Sequence, residues 1–172
     1  MHNIITINSN RRVSVDSNDV VHLDYQTQVY GADYQLVYSN SSNWSVRVRI
    51  RSEAKIHTYP SIAVDSNDNL HITYNKEQEG LSNNYQIGYI NSTDNGGSWG
   101  TEQILTNEPD AADIAFQSSI AIDSNDVIHV VFYCTNHYLG KADILHMQSS
   151  DYGSTWTDWE GDPVYQNDTY DQ

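Results

Sequence analysis

The sequence predicts an all-β chain made of three four-stranded antiparallel repeats, each a blade of a β-propeller. Three observations predict it. One phrase occurs three times, as Val13 to Leu23, Ile62 to Ile72 and Ile120 to Val130, and its Asp-Ser-Asn-Asp cores start 49 and then 58 residues apart. Apolar and polar residues alternate with period two on both sides of each core. No segment carries a sustained helical period. Repeats of about 50 residues with four strands each are the sequence signature of propeller blades.

Each blade opens on a strand that ends at the repeated turn. In the second copy Ile62 and Val64 alternate with Ser61 and Ala63, and Leu70, Ile72 and Tyr74 alternate with His71 and Thr73. Between them Asp65-Ser66-Asn67-Asp68 supplies turn chemistry, because short Asx side chains satisfy nearby backbone N–H groups. The pattern reads as a hairpin, the first and second strands of the blade. A third strand follows at Tyr34–Tyr38, Tyr85–Tyr89 and Ala142–Met147. A fourth follows a tryptophan: Ser45 to Ile50 after Trp44, Thr101 to Leu105 after Trp99, and a weaker stretch to Tyr165 after Trp156. With only three prolines and few charged runs there is no linker, so residues 1–172 read as a single repeat domain. Its blades span about 11–58, 59–108 and 117–172. Residues 1–10, with Ile4-Ile5-Thr6-Ile7, are a candidate extra outer strand for a neighbouring blade.

Composition narrows the partners. The net charge is -15, from 23 acidic and 8 basic residues. Nucleic acid and anionic membrane are held mainly by Lys and Arg, so neither is expected as a partner. No apolar run is long enough for a membrane-spanning helix. The N-terminal stretch lacks the basic and apolar regions of a signal peptide, which leaves the compartment undecided. The single cysteine, Cys134, lies in an apolar strand and reads as a buried thiol.

Between the third and fourth strands stands a second motif. Ser92-Thr93-Asp94-Asn95-Gly96-Gly97-Ser98-Trp99 and Ser149-Ser150-Asp151-Tyr152-Gly153-Ser154-Thr155-Trp156 both fit S-x-D-x-G-x-[ST]-W. This resembles the Asp-box, or BNR repeat, of sialidase-like β-propellers. Blade one departs from it: Ser39 to Trp44 keeps the tryptophan without the Asp and Gly. The resemblance implies structural roles for Ser92, Asp94, Gly96, Trp99, Ser149, Asp151, Gly153 and Trp156. The aspartates would tie the turn, the glycines would supply its backbone freedom, and the tryptophans would pack into the blade. It also implies an outer-rim position for these loops, away from the substrate face, and is compatible with an extracellular setting.

A sialidase would need three arginines on the substrate carboxylate, a tyrosine–glutamate pair and an acid/base aspartate. The chain has only Arg11, Arg12, Arg47, Arg49 and Arg51, and Arg49-Ile50-Arg51-Ser52 is not the family's Arg-Ile-Pro motif. No tyrosine–glutamate pair can be assigned from sequence among 13 tyrosines. The expectation leans away from an enzyme and assigns no catalytic residue. Arg47, Arg49 and Arg51 share one face and read as a charged edge strand. The repeated His22, His71 and His129 are equivalent by repetition and read as structural rather than as a metal site. The Asp16/Asp19, Asp65/Asp68 and Asp123/Asp126 pairs could offer oxygens to Ca²⁺, but their spacing favours turn capping, and no cofactor is expected.

The loops joining second to third strands mix aromatic, amide and acid groups of the kind that hold sugars. From them Tyr30, Asp33, Asn84, His137 and Tyr138 are the candidate ligand-binding residues. The expected function is non-catalytic recognition of a glycan or protein surface. A glycoside hydrolase relative and a purely structural array are the alternatives. Three blades do not close a ring, so two chains are expected to associate as a six-bladed homodimer.

Overall fold

The computed structural model describes residues 6–29, 33–45, 47–50, 57–78, 84–106, 114–138, 141–157 and 163–165. Twelve strands are β1 (Thr6–Val15), β2 (Val21–Val29), β3 (Asp33–Asn40), β4 (Val48–Arg49), β5 (His57–Val64), β6 (Leu70–Glu77), β7 (Tyr85–Ser92), β8 (Gln103–Ile104), β9 (Ile114–Ile122), β10 (Ile128–Tyr138), β11 (Lys141–Ser149) and β12 (Pro163–Tyr165). They form three four-stranded antiparallel sheets, β1–β4, β5–β8 and β9–β12, each in simple meander order. No helix occurs among the described residues.

Residues 6–10 are part of β1, with Thr6 opposite Gln28 and Ile7 opposite Thr27; residues 1–5 of the candidate outer strand lie outside the described residues. A register shift between Ile7 and Arg11 absorbs the polar Asn8-Ser9-Asn10 run, and Asn10 Nδ2 reaches Gln26 Oε1 at 3.5 Å. The outer edge of the third sheet is filled by β12.

The sheets pack face to face, and each junction holds its own core. Leu36, Tyr38 and Ile50 of the first sheet pack against Ile62, Leu70, Ile72, Tyr74 and Ile90 of the second. Ala63, Ile87 and Tyr89 of the second pack against Ile120, Ile128, Val130, Phe132, Leu145 and Met147 of the third. The middle sheet is therefore covered on both faces, and Leu70 to Asn75 are buried without a break. Strand β9, covered on one face, alternates instead.

Three polar devices repeat at the junctions. First, the leading Asp of each turn caps its own loop: Asp65 Oδ1 accepts from Asn67 N at 2.9 Å and Asn69 N at 2.8 Å. The trailing Asp, at φ near 60°, reaches across to the preceding sheet. Asp68 accepts from Ser17 N at 2.8 Å and Ser17 Oγ at 2.7 Å; Asp126 accepts from Ser66 N at 2.9 Å and Ser66 Oγ at 2.6 Å. Those bonds, hydroxyl first, hold the Asp126 carboxyl below the usual range. Second, a bulged residue with positive φ in the opening strand donates its N–H backwards. Tyr59 N meets Gln26 Oε1 at 3.1 Å, and Gln117 N meets Asn75 Oδ1 at 2.9 Å.

The third device is the S-x-D-x-G loop. Asp94 Oδ1 accepts from Ser98 N and Ser92 Oγ, both at 2.8 Å, and its Oδ2 from Ser98 Oγ at 2.6 Å. Asp151 repeats the pattern with Thr155 and Ser149. Gly96 and Gly153 stand at φ +82° and +84°. The tryptophans pack outward from their own sheets: Trp99 meets Tyr38 edge-on at 5.4 Å, and Trp156 meets Tyr89 at 5.0 Å, each a tyrosine of the preceding sheet.

The repeated histidines serve these tyrosines. His71 Nε2 lies 3.3 Å from Asp65 Oδ2 and its Nδ1 2.7 Å from Tyr89 Oη. Burial lowers the His71 pKa against the pull of Asp65, so the ring is neutral at pH 7. The carboxylate can only accept, which places the proton on Nε2 and leaves Nδ1 to accept the Tyr89 hydroxyl. His22 links Asp16 to Tyr38 in the same way, at 3.2 and 2.6 Å.

Candidate binding face at the loop end of the sheets

Antiparallel order divides the molecule into two ends. The Asp-Ser-Asn-Asp turns and the S-x-D-x-G loops lie at one end, which their mutual hydrogen bonds fasten. The ends of β2, β6 and β10 and the starts of β3, β7 and β11 lie at the other.

Of the sequence-derived candidates, Asp33, Asn84, His137 and Tyr138 belong to this second end. Tyr30 lies outside the described residues. Asp33 opens β3 opposite Val29, and Tyr138 closes β10 opposite Lys141, with His137 beside it; these are backbone placements. Asn84 precedes β7, and its carbonyl accepts from Gln78 N at 2.8 Å. Its side chain is buried, yet neither amide atom has a protein partner. Gln78 Oε1 and Gln86 Nε2 are in the same condition nearby. The β6–β7 hairpin thus carries three amide side chains with unspent hydrogen-bonding capacity, which is unusual for buried polar atoms.

Sequence reasoning missed the aromatic part of this end. Glu77 and Tyr85 stand opposite each other across the β6–β7 register; burial raises the Tyr85 pKa first, and Glu77, Tyr59 and Tyr34 add to it, which puts each of the three within electrostatic reach of Tyr85. Tyr34 and Tyr85 are half-buried, and Tyr59 is 40% exposed while held at φ 51°. A non-glycine residue in that region is strained; the bond from its N–H to Gln26 helps hold it there. The repeated Tyr-Gln pairs, Tyr34-Gln35 and Tyr85-Gln86, were the signal in the sequence.

A second cluster sits on the other side of β6. Tyr74 donates to Glu102, which also pairs with Lys76, and His57 Nε2 is 3.9 Å from Glu102 Oε1. A tyrosine–glutamate pair therefore exists, although its members are 28 residues apart and nothing local announces it. Tyr74 is wholly buried beneath Gly88, where a Cβ would lie 2.7 Å from the ring. A nucleophile must reach its substrate, and this phenol is sealed from solvent.

The paired aspartates of the repeated turns act as turn caps and cross-sheet acceptors. Asp65 and Asp68, like Asp16 and Asp123, spend their oxygens on backbone and side-chain donors. Among the described residues no group of three His, Cys, Asp or Glu side chains converges as a metal site.

Comparison with solved structures gives the same architecture. A protein of unknown function from Dyadobacter fermentans superposes with a TM-score of 0.66 at 15% identity, over 91% of this chain and 54% of its own. A Hadza microbial sialidase, Hz136, gives 0.68 at 13%, over 86% of this chain and 36% of its own. A fucose lectin from Kordia zhangzhouensis, solved with methyl-fucoside, gives 0.51 at 14%, over 86% of this chain and 95% of its own. The chain thus spans about half of the first and about a third of the second. No curated protein matches the sequence. The family model described as BNR repeat-containing family member matches residues 46–170. The chain belongs to the BNR repeat-containing family.

Proposed function

We propose that this chain is a non-catalytic carbohydrate-binding module whose binding face is the loop end of its sheets. The observation that carries the reading is the cross-strand pair of Glu77 and half-buried Tyr85, with Tyr34 and Tyr59 within electrostatic reach of Tyr85, beside the unpartnered amide of Asn84 and the unpartnered Gln78 Oε1 and Gln86 Nε2. A sugar ring presents apolar C–H faces and a rim of hydroxyls. Part-exposed aromatic rings suit the first, and amide and carboxylate groups suit the second. The likeness to a fucose lectin and to a sialidase is compatible with a carbohydrate ligand. Of the sequence-derived candidates, Asp33, His137 and Tyr138 stand at strand ends on the same side of the molecule.

Isothermal titration against a panel of mono- and oligosaccharides, fucosides and sialosides included, tests this reading. Binding is expected, weakened about ten-fold or more by Tyr59→Ala and by Tyr85→Ala. No turnover of the corresponding aryl glycosides is expected. A folded protein that binds none of the panel favours a purely structural array. Turnover lost in Glu102→Gln would instead make it a hydrolase relative.

A further inference from the structure

The three polar devices of the junctions leave a matched pair of open ends. At the turn, a serine of one sheet receives an aspartate of the next: Ser17 with Asp68, Ser66 with Asp126. Asp19 of the first sheet and Ser124 of the third occupy the two unfilled positions. Both are exposed, and Asp19 already has the φ of 60° shared by Asp68 and Asp126. One end of the stack therefore holds the acceptor and the other the donor of the same latch, in the correct order.

The sheet faces agree. Val13 corresponds to Ile62 and Ile120, which are 6% and 7% exposed where they meet the preceding sheet; Val13 is 64% exposed, and Val15 is 54%. At the far end, Val131 is exposed where its counterpart Thr73 is buried against Ser118, 3.0 Å away. Beside Val131 a cavity of ≈ 410 Å³ is lined by Phe116, Tyr133 and Ile144.

The departures from the repeat agree as well. In the first and second sheets Tyr38 and Tyr89 receive the glycine loop of the following sheet. In the third, the equivalent residue is His146, 3.1 Å from His129, and the glycine loop is lacking in the first sheet, whose Trp44 is exposed. Likewise the amide that receives the bulge N–H, Gln26 or Asn75, is replaced in the third sheet by Tyr133. These changes fall on opposite sides of one junction, third sheet to first, which the chain does not make within itself.

We infer that a second copy of this chain makes it: the face of Val131, Tyr133 and His146 docks on the face of Val13, Val15 and Trp44 of the other copy, with Asp19 latched to Ser124. Three sheets cannot close a ring, but two copies joined twice in this way give six, within the range of closed propellers, and each open face is covered.

Light scattering coupled to size exclusion, on the intact 172-residue chain, tests the inference. The expected mass is twice the 19.5 kDa chain. Ser124→Asp sets two carboxylates against each other on an exposed turn, and Val131→Glu charges the apolar face. Each is expected to raise the dimer dissociation constant about ten-fold or more, with circular dichroism unchanged. Asp19→Lys in the Ser124→Asp background is expected to restore the dimer. A wild-type monomer, a ladder of larger species, or a dimer indifferent to both variants would overturn it.

Discussion

The ring of Tyr38 lies against the backbone of Gly96, so close that a Cβ on that glycine would fall 2.1 Å from the ring. The same relationship holds between Tyr89 and Gly153, at 2.2 Å from the hydroxyl oxygen. The glycine of the S-x-D-x-G loop thus does two things. It takes a φ that side-chain-bearing residues avoid, and it lets the tyrosine of the preceding sheet close over the loop.

Gly96→Ala should therefore destabilise the chain more than a positive φ alone would. Strain and overpacking together give roughly 2–4 kcal/mol. Gly97→Ala is the comparison: its Cβ would find its nearest neighbour, Asp94 Oδ2, at 3.2 Å, and a smaller loss is expected. Urea unfolding checks both, as a shift of midpoint at constant slope. Equal losses in the two variants would mean that the Tyr38 contact is not what the glycine serves.

Tyr89→Phe removes the hydroxyl that His71 accepts. The ring of His71 is fully buried, so its Nδ1 would be left without a partner, at a cost of about 1–3 kcal/mol. The imidazole should also become easier to displace by acid. Because burial holds its folded pKa below the ordinary 6.5, its neutral form supports the fold at pH 7, and that support is lost as pH falls below 6.5. Thermal melts of wild type and Tyr89→Phe at pH 7 measure the first effect. A melt of His71→Gln across pH 7 to 5 should lack the wild type's decline in that window.

The loop aspartates act at lower pH. Hydrogen bonds from the Ser98 hydroxyl and N–H, in that order, bring Asp94 down to about 2, and Thr155 does the same for Asp151. A depressed carboxylate stabilises the fold above its unfolded value of 3.8 and ceases to as pH falls through about 2. Asp94→Asn should lower the melting temperature at pH 6 and flatten its fall between pH 4 and 2. An unchanged acid limb would show that these bonds do not carry the titration.

Much of this fold was legible in the residues, for a physical reason. Strand, turn and repeat are local, and Val64-Asp65-Ser66-Asn67-Asp68 announces its hairpin by alternation and Asx chemistry alone. The leading Asp was readable as a cap because its partners lie two and four residues on. The trailing Asp was not, since Ser17 and Asp68 are 51 residues apart and the bond exists only once two sheets stack. The proposed binding face was half legible. Loop composition singled out Asn84, but Tyr59 joins Tyr34 and Tyr85 only through a bulge that the register of β5 and β6 creates. The start of β1 at Thr6 was not legible, because Asn8-Ser9-Asn10 interrupts the alternation and is accommodated only by a register shift against β2.

Asp24 is the one buried carboxylate among the described residues with neither oxygen bonded. Its counterparts in the other sheets are Thr73 and Val131. Thr73 accepts from the Ser118 hydroxyl across the junction, but the residue that corresponds to Ser118 in the second sheet is Pro60, which has no hydroxyl to give. Burial therefore pushes the Asp24 carboxyl up to about 8, with its own backbone and Arg12 opposing. The sign follows from which state holds the proton. Below 3.8 the acid is neutral folded and unfolded, and no penalty arises. Between about 4 and 8 the unfolded chain ionises while the folded chain does not, so stability falls as pH rises; above about 8 the penalty is constant. Asp24→Val, which installs the residue found at position 131, should raise stability by about 1–4 kcal/mol at pH 8 and gain much less at pH 4. Urea unfolding of the two proteins at both pH values decides it, and an equal gain at the two would mean that the charge of Asp24 is not the source of the cost.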